Sequence, residues 1–329
     1  MYKRHFSHIY LETEAARFPD ARSLIKKFSN AVVIEIDDYK RVFNRTRQNF
    51  QAQKNSMKLI LATKKDRLLY PGSDMSPSFG HAQFYYNTMV LNCIYNCDYC
   101  YLQGMYDSAN LVVFVNSDDF FSAVESKLQD HPVYLCISYD TDLLAFENVH
   151  PLCARWINFA STRPDLTVEI RTKSSNYKAI GHLHAVSNVI LAWTLSPQAV
   201  TQTYEVQTPP LEQRLRSVES AIADGWRVRL CFDPVLAVKN WSNVYGDFLE
   251  SLRLRVSWDK VYDVSVGTFR MNGGYLSKIK SARMDSDILY DTMKLEDGTA
   301  SYPAPVHEEI MAWMTDKLRP LVGLERLHI

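Results

Sequence analysis

From residue 84 onward the chain alternates short apolar runs with amphipathic ones. The runs at 84–91, 133–138, 166–172, 188–195, 227–235 and 261–269 are nearly continuous in apolar residues, the pattern of strands buried on both faces. Between them, 118–129, 150–161, 175–183, 210–224 and 241–252 carry helical patterns. Leu211, Leu215, Val218 and Ile222 form one apolar stripe, and Pro210 suits a first helical turn. Six strands alternating with helices predict a parallel sheet with helices outside it. The span 84–269 suits a partial (β/α)6 barrel and is tight for eight units. Residues 1–75 read as a small α/β segment, with a helical stretch at 12–28 and strand candidates at 31–36 and 57–62. Residues 286–329 hold Asp297-Gly298, a two-residue hairpin turn signal, and a closing helix at 306–318. The expected fold class is α/β, with segments 1–75, 76–285 (the barrel) and 286–329.

Charge changes this picture only locally. Among 329 residues, 37 basic side chains balance 37 acidic ones, which excludes a polycationic tail or histone-like protein. One stretch departs from the balance: 40–67 holds nine Lys or Arg against Asp66. A solvated face and a phosphate-contacting face both fit it. No apolar run reaches the roughly 18 residues of a membrane span. Met1-Tyr2-Lys3-Arg4-His5-Phe6 lacks the apolar stretch of a secretory signal. A soluble, cytoplasmic monomer without a membrane partner is expected.

The cysteines carry the chemistry. Cys93, Cys97 and Cys100 fall within eight residues, directly after the first barrel strand, while Cys136, Cys153 and Cys231 stand apart. Loops at the carboxyl ends of strands are where α/β barrels place their reactions. Three thiolates spaced C-x3-C-x2-C can ligate three irons of a [4Fe–4S] cluster and leave the fourth open. A structural zinc site needs four closed ligands, and no nearby Cys or His supplies the fourth.

This spacing, with Tyr99 before the last cysteine, resembles the signature of the radical S-adenosylmethionine (SAM) superfamily. That resemblance implies a [4Fe–4S] cluster whose open iron is chelated by SAM. It also implies a reductant such as flavodoxin or ferredoxin, and a 5′-deoxyadenosyl radical that abstracts hydrogen from the substrate. The run Cys97-Asp98-Tyr99-Cys100-Tyr101-Leu102-Gln103 is similar to the C-x-Y-C-Y-L-Q of the spore photoproduct lyase family, which reverses a thymine–thymine lesion in DNA. Further matches follow in order: Ile9-Tyr10-Leu11-Glu12 with Phe18-Pro19, Thr172-Lys173, and Glu205-x-x-Thr208 with Arg214. By resemblance, Lys173 neutralises the SAM carboxylate, and Thr141, Thr194 and Ser196 line the cofactor. Tyr99 and Tyr101 are then a hydrogen-atom relay, and the 297–298 hairpin stands where the family has a DNA wedge. Taken by themselves, Glu205, Thr208 and Arg214 also read as helix-entry capping and surface charge. Lys173 equally reads as a rim lysine reaching solvent.

One position departs from the family. Its donor thiol lies in an S-C-T-S-D run after the second strand, and Ser138-Tyr139-Asp140-Thr141-Asp142 aligns Tyr139 with that cysteine. Cys136 is three residues earlier, an odd offset that turns it to the other face. Cys136, Cys153 and Cys231 read as small buried hydrophobes. Either the Tyr139 phenol donates the hydrogen atom, or no donor is needed because deoxyadenosine returns it in a rearrangement. The second is favoured: a DNA-directed enzyme that edits or isomerises a thymine-derived base, with radical chemistry on a free nucleotide or other small molecule as the alternative. Arg270, the cluster Lys278, Lys280 and Arg283, and Lys294 on the hairpin are the expected phosphate contacts, with Tyr302 or Trp193 to stack a flipped base.

Overall fold

The apolar runs become strands because each is covered on both sides once helices pack over the sheet. The computed structural model describes residues 5–73 and 77–329. The first four residues of the N-terminal stretch and the expected boundary at 75/76 lie outside the described residues. Chain contacts divide the protein into two compact units, Met1–Ile94 with Met105–Ile170, and Tyr95–Gly104 with Arg171–Ile329.

In the first unit, the strands Val32–Ile36, His8–Glu12, Leu59–Ala62 and Leu111–Phe114 lie side by side in parallel, in that order. All residues of Leu59–Ala62 and Leu111–Phe114 are buried, whereas Val32–Ile36 is an exposed edge. The run expected as one strand over 84–91 is two: Phe84–Tyr86 pairs parallel with Val133–Cys136, and Val90–Leu91 pairs antiparallel with Leu111–Phe114. The two halves join different sheets, with buried Asn87 and Thr88 at the break. The helix expected over 12–28 is shorter. Glu12 ends a strand, Ala15–Arg17 forms a 3-10 turn, and Pro19–Lys27 is the helix, with Pro19 in its first turn.

In the second unit, Val189–Thr194, Arg227–Val235, Asp263–Thr268 and Leu327–His328 run parallel as neighbours. The helices Leu211–Ala223, Trp241–Arg255 and Ala304–Val322 bury apolar stripes; Leu211, Leu215, Val218 and Ile222 are all buried as the periodicity requires. Phe232 meets Phe248 of Trp241–Arg255 edge-on at 5.8 Å, so alternation turns Arg229 and Cys231 to the opposite face. Thr194 and Ser265 are register partners of Cys231 on that face. The helix expected over 175–183 is only a 3-10 turn, Tyr177–Ala179. Its start is diverted by local bonds: Ser174 N–H donates to Thr172 Oγ1 (2.8 Å) and Asn176 N–H to Ser174 Oγ (3.0 Å).

In one sheet, Phe84–Tyr86, Val133–Cys136, Leu166–Thr172, Val189–Thr194, Arg227–Val235 and Asp263–Thr268 follow one another as neighbours in chain order. Tyr70–Pro71 lies outside the first and Leu327–His328 outside the sixth. The fold is α/β, a partial (β/α)6 barrel with an N-terminal α/β portion and a C-terminal hairpin and helix. The hairpin pairs Lys294–Glu296 with Thr299–Ser301, and Asp297 and Gly298 both take positive φ (46° and 77°) at its turn. No helix among the described residues is long and apolar enough to cross a membrane.

Candidate functional site

The loop Tyr95–Gly104, which carries Cys97 and Cys100, belongs by its contacts to the second unit and is strapped from two sides. On one side Asn96–Cys97 pairs antiparallel with Glu205–Val206, and Asp98 N–H donates to Tyr204 O (2.7 Å). On the other, Arg283 follows the helix Gly273–Ala282 and reaches back over the loop. Its Nε donates to Gln103 Oε1 (2.6 Å), its Nη1 to Asp98 Oδ1 (2.7 Å), and its Nη2 to the carbonyl and side-chain oxygens of Asn96. Because the Gln103 oxygen accepts from Arg283, its amide NH2 is turned into the loop. There it donates to Cys97 O (2.8 Å), Asp98 O (3.3 Å) and Cys100 O (3.3 Å). Gly104 completes the packing: a Cβ there would lie 2.5 Å from the Tyr275 Cα. The expectation that Arg283 contacts phosphate is corrected, since its side chain is buried and committed to this loop.

Glu205 is the centre of the second group. Its carboxylate accepts the Tyr99 hydroxyl, accepts Ser196 Oγ–H at 3.0 Å, and pairs with Arg214 Nη2 at 2.5 Å and with Lys173 Nζ at 3.8 Å. Both Glu205 and Arg214 side chains are fully buried, which overturns the surface-charge reading of this motif. Arg214 also donates to Thr208 Oγ1 (2.6 Å), Pro209 O (2.9 Å) and Thr194 O (3.3 Å). Lys173 lies 5.2 Å above the Tyr99 ring, a cation–π distance. Burial pushes the Glu205 carboxyl up, but the charges of Lys173 and Arg214 and the hydrogen bonds from Tyr99 and Arg214 outweigh it and hold the acid below its usual range. The Tyr99 phenol is pushed well up, by burial first and then by the Glu205 charge. Four residues named from the sequence, Tyr99, Lys173, Thr194 and Ser196, are thus gathered around Glu205 and Arg214.

None of the six cysteines is in a disulfide; Cys97 is buried, Cys93 and Cys100 half-buried. Among the described residues no three His, Cys, Asp or Glu side chains stand gathered as a metal-holding group. The donor set nonetheless fits a cluster chemically: three thiols outside any disulfide at C-x3-C-x2-C spacing, two of them in a loop whose carbonyls are pinned by Gln103. In the first unit Lys54, one of the basic residues of 40–67, is buried and donates to Cys93 O, so this lysine is no phosphate contact.

The remaining candidates stand elsewhere. Tyr139 is half-buried and stacks on Tyr86, with ring centroids 4.2 Å apart. Thr141 and Tyr101 are half-buried. Arg270 is engaged by Asp233, and Lys294 by Glu296. The base-stacking expectation for Tyr302 and Trp193 is corrected. Tyr302 is buried against Phe269, its hydroxyl accepting Ala237 N–H (2.9 Å), and Trp193 is fully buried, donating to Ser174 O (2.9 Å).

A family model described as spore photoproduct lyase matches residues 5–273. The spore photoproduct lyase of Clostridium acetobutylicum is 20% identical over 284 residues, 83% of this chain and 81% of that protein. That of Bacillus subtilis (strain 168) is 19% identical over 264 residues, 78% of this chain and 75% of that protein. Among solved structures, a spore photoproduct lyase mutant with bound AdoMet and dinucleoside spore photoproduct superposes with a TM-score of 0.83 at 16% identity, covering 98% of this chain and 97% of that one. Spore photoproduct lyase complexed with dinucleoside spore photoproduct alone gives 0.83 at 15%, covering 98% and 97%. The chain belongs to the spore photoproduct lyase family, within the radical SAM superfamily.

Proposed function

We propose that this protein is a radical SAM enzyme that takes a hydrogen atom from a thymine-derived base in DNA and rearranges or modifies that base. The observation that carries the reading is the convergence on Glu205. Tyr99, from inside the cysteine loop, shares one buried carboxylate with Lys173 and Ser196, so the loop and the cofactor-facing residues form one rigid group. In this reading Cys93, Cys97 and Cys100 hold a [4Fe–4S] cluster, and Lys173, Thr141, Thr194 and Ser196 hold SAM. When bound, cluster and SAM supply the one-electron chemistry that removes a hydrogen atom from the substrate.

The protein's own part is to fix and shield. Burial first, and then the Glu205 charge, keep the Tyr99 phenol protonated, and the charges of Lys173 and Arg214 help keep Glu205 ionised. In this reading Tyr139 takes the sequence position of the family's donor thiol, and a rearrangement in which the hydrogen returns from deoxyadenosine needs no thiol there. Arg270 and Lys294 are the DNA contacts of this reading, and a reduced flavodoxin or ferredoxin is the electron source.

A second reading, lesion reversal with Tyr139 as hydrogen donor and Tyr99 and Tyr101 as relay, is favoured by one observation. The Tyr139 ring is held by its stack on Tyr86, as a donor must be. Mass spectrometry of nucleosides from DNA treated with reduced protein and SAM separates the two. A new thymidine-derived nucleoside from unirradiated DNA, also formed by Tyr139→Phe, supports rearrangement. Loss of spore photoproduct from irradiated DNA, abolished in Tyr139→Phe, supports reversal. No change in either DNA overturns both.

A further inference from the structure

In the parallel sheet of the first unit, the chain lays Val32–Ile36 on one side of His8–Glu12 and then Leu59–Ala62 on the other. His8–Glu12 and Leu59–Ala62 are thus neighbours whose outgoing connections part in opposite directions, and Leu111–Phe114 lies beyond them. At such a reversal a crevice opens outside the carboxyl ends of the strands, the place where open α/β sheets take their ligands. A cavity of about 570 Å³ lies there. Its lining comes from the segments that leave those three carboxyl ends. Glu14 and Arg17 follow the first strand, Lys64 and Lys65 follow Leu59–Ala62, and Asn116 and Asp119 follow Leu111–Phe114.

Buried side chains stitch the mouth of this cavity together. The Glu12 carboxylate accepts the Thr63 N–H (2.8 Å) and the Thr63 hydroxyl (3.1 Å), tying the first strand to the second loop. Asn116 Oδ1 accepts Lys64 N–H (2.9 Å), and its amide donates to Lys64 O (2.8 Å) and to Asp119 Oδ2 (2.6 Å), tying the second loop to the third. Three cations, Arg17, Lys64 and Lys65, stand against two carboxylates, Glu14 and Asp119. Lys64 is the fixed one. It is half-buried, donates to the Tyr70 hydroxyl (3.0 Å), and lies 5.2 and 5.1 Å over the rings of Tyr70 and Phe114. Lys65 pairs with Glu14 at 2.7 Å, but the two side chains are 68% and 45% exposed, and an exposed pair holds its partners weakly. An incoming anion therefore takes Lys65 from Glu14 at little cost. The volume is that of a small-molecule site, roughly 300–1,000 Å³, and larger than a bare phosphate fills.

We infer that this cavity is a further ligand site, in the N-terminal sheet, for a phosphorylated small molecule of nucleotide size. Lys64, Arg17 and a Lys65 released from Glu14 hold its phosphate, since charge-assisted bonds from several cations suit that group. The site does not depend on the base chemistry proposed above. It also divides the basic run 40–67 by role: Lys54 supports the Cys93 carbonyl, and Lys64 and Lys65 face the anion.

The test is equilibrium dialysis of the four ribonucleoside 5′-monophosphates, their nucleosides and a short single-stranded DNA against the full-length protein and three variants. Lys64→Gln and Arg17→Gln each remove a cation, and Glu14→Gln frees Lys65; circular dichroism checks that each is folded. The wild type is expected to bind at least one monophosphate about tenfold or more tightly than its nucleoside, the scale of one charge-assisted bond. Lys64→Gln is expected to erase that preference, the exposed Arg17→Gln to weaken it, and Glu14→Gln to increase it. Equal affinity for every monophosphate and its nucleoside, or a preference undiminished in both Lys64→Gln and Arg17→Gln, overturns the site. A preference that also falls in Glu14→Gln overturns the charge argument on which the site stands. DNA binding that depends on Lys64, with no monophosphate bound, overturns the nucleotide-sized ligand and makes the phosphate that of a DNA backbone.

Discussion

Replacing Glu205 by Gln keeps the side chain's size and removes one charge from the centre of the site. The Arg214 guanidinium, itself fully buried, then loses the carboxylate it is paired with, and Lys173 loses the carboxylate 3.8 Å away. Removing one partner of a buried ion pair costs about 3–5 kcal/mol, because the surviving charge is left desolvated and uncompensated. The Tyr99 hydroxyl keeps a neutral acceptor in place of a charged one, a further loss of about 1 kcal/mol that overlaps the first rather than adding to it. Set against a total stability of about 5–15 kcal/mol, this is a large fraction. Urea unfolding followed by circular dichroism should show a clear fall in midpoint. Glu250→Gln, which breaks an exposed pair with Arg253, should stay within error of wild type. The double variant Glu205→Gln with Arg214→Met should recover much of the loss, since it removes both charges. A Glu205→Gln midpoint no lower than that of Glu250→Gln would refute the buried-charge argument.

Arg283→Gln removes the strap over the cysteine loop. Faster proteolysis within 95–104 and less iron per chain after anaerobic reconstitution are expected, and unchanged values for both would deny the strap its role. Gly104→Ala would drive a methyl into the Tyr275 backbone and should cost about 1–3 kcal/mol, read as a lowered unfolding midpoint. Asp263 gives a pH dependence of definite sign. Burial pushes its carboxyl up, but the hydrogen bonds and charges of Arg229 and His328 outweigh this and hold it below its usual value. Its stabilisation is therefore complete above an unfolded-state pKa of about 3.9 and is lost as pH falls through the depressed folded value. Stability should fall more steeply below about pH 4 in wild type than in Asp263→Asn.

The barrel strands were legible because burial on both faces leaves an unbroken apolar run, and 166–172 and 227–235 coincide with the observed strands. The same signal misled at 84–91, where two strands of different sheets share one run. Buried Asn87 and Thr88 were the available warning, since polar residues rarely interrupt a doubly covered strand. Leu111–Phe114 has a run as apolar as the others but serves the N-terminal sheet and falls outside the strand–helix rhythm, so the rhythm does not predict it. In the site, Tyr99, Lys173 and Ser196 could be named by motif, but their common partner could not be ranked. Glu205 and Arg214 matched the family's motif but read equally as helix-entry capping and surface charge until the fold buries them together. Arg283 lies far along the chain from the loop it holds. A basic residue in a basic cluster carries no local mark of the carboxylate and amide waiting for it.

The central claim is that Cys93, Cys97 and Cys100 carry an iron–sulfur cluster with one iron left to SAM. Its most direct test is iron and acid-labile sulfide per chain, with electron paramagnetic resonance of the reduced, anaerobically reconstituted protein before and after SAM is added. About four irons and four sulfides are expected, with a spectrum that shifts on SAM binding and is lost in Cys97→Ala. Bound zinc without sulfide, or a cluster that survives in Cys97→Ala, would contradict it.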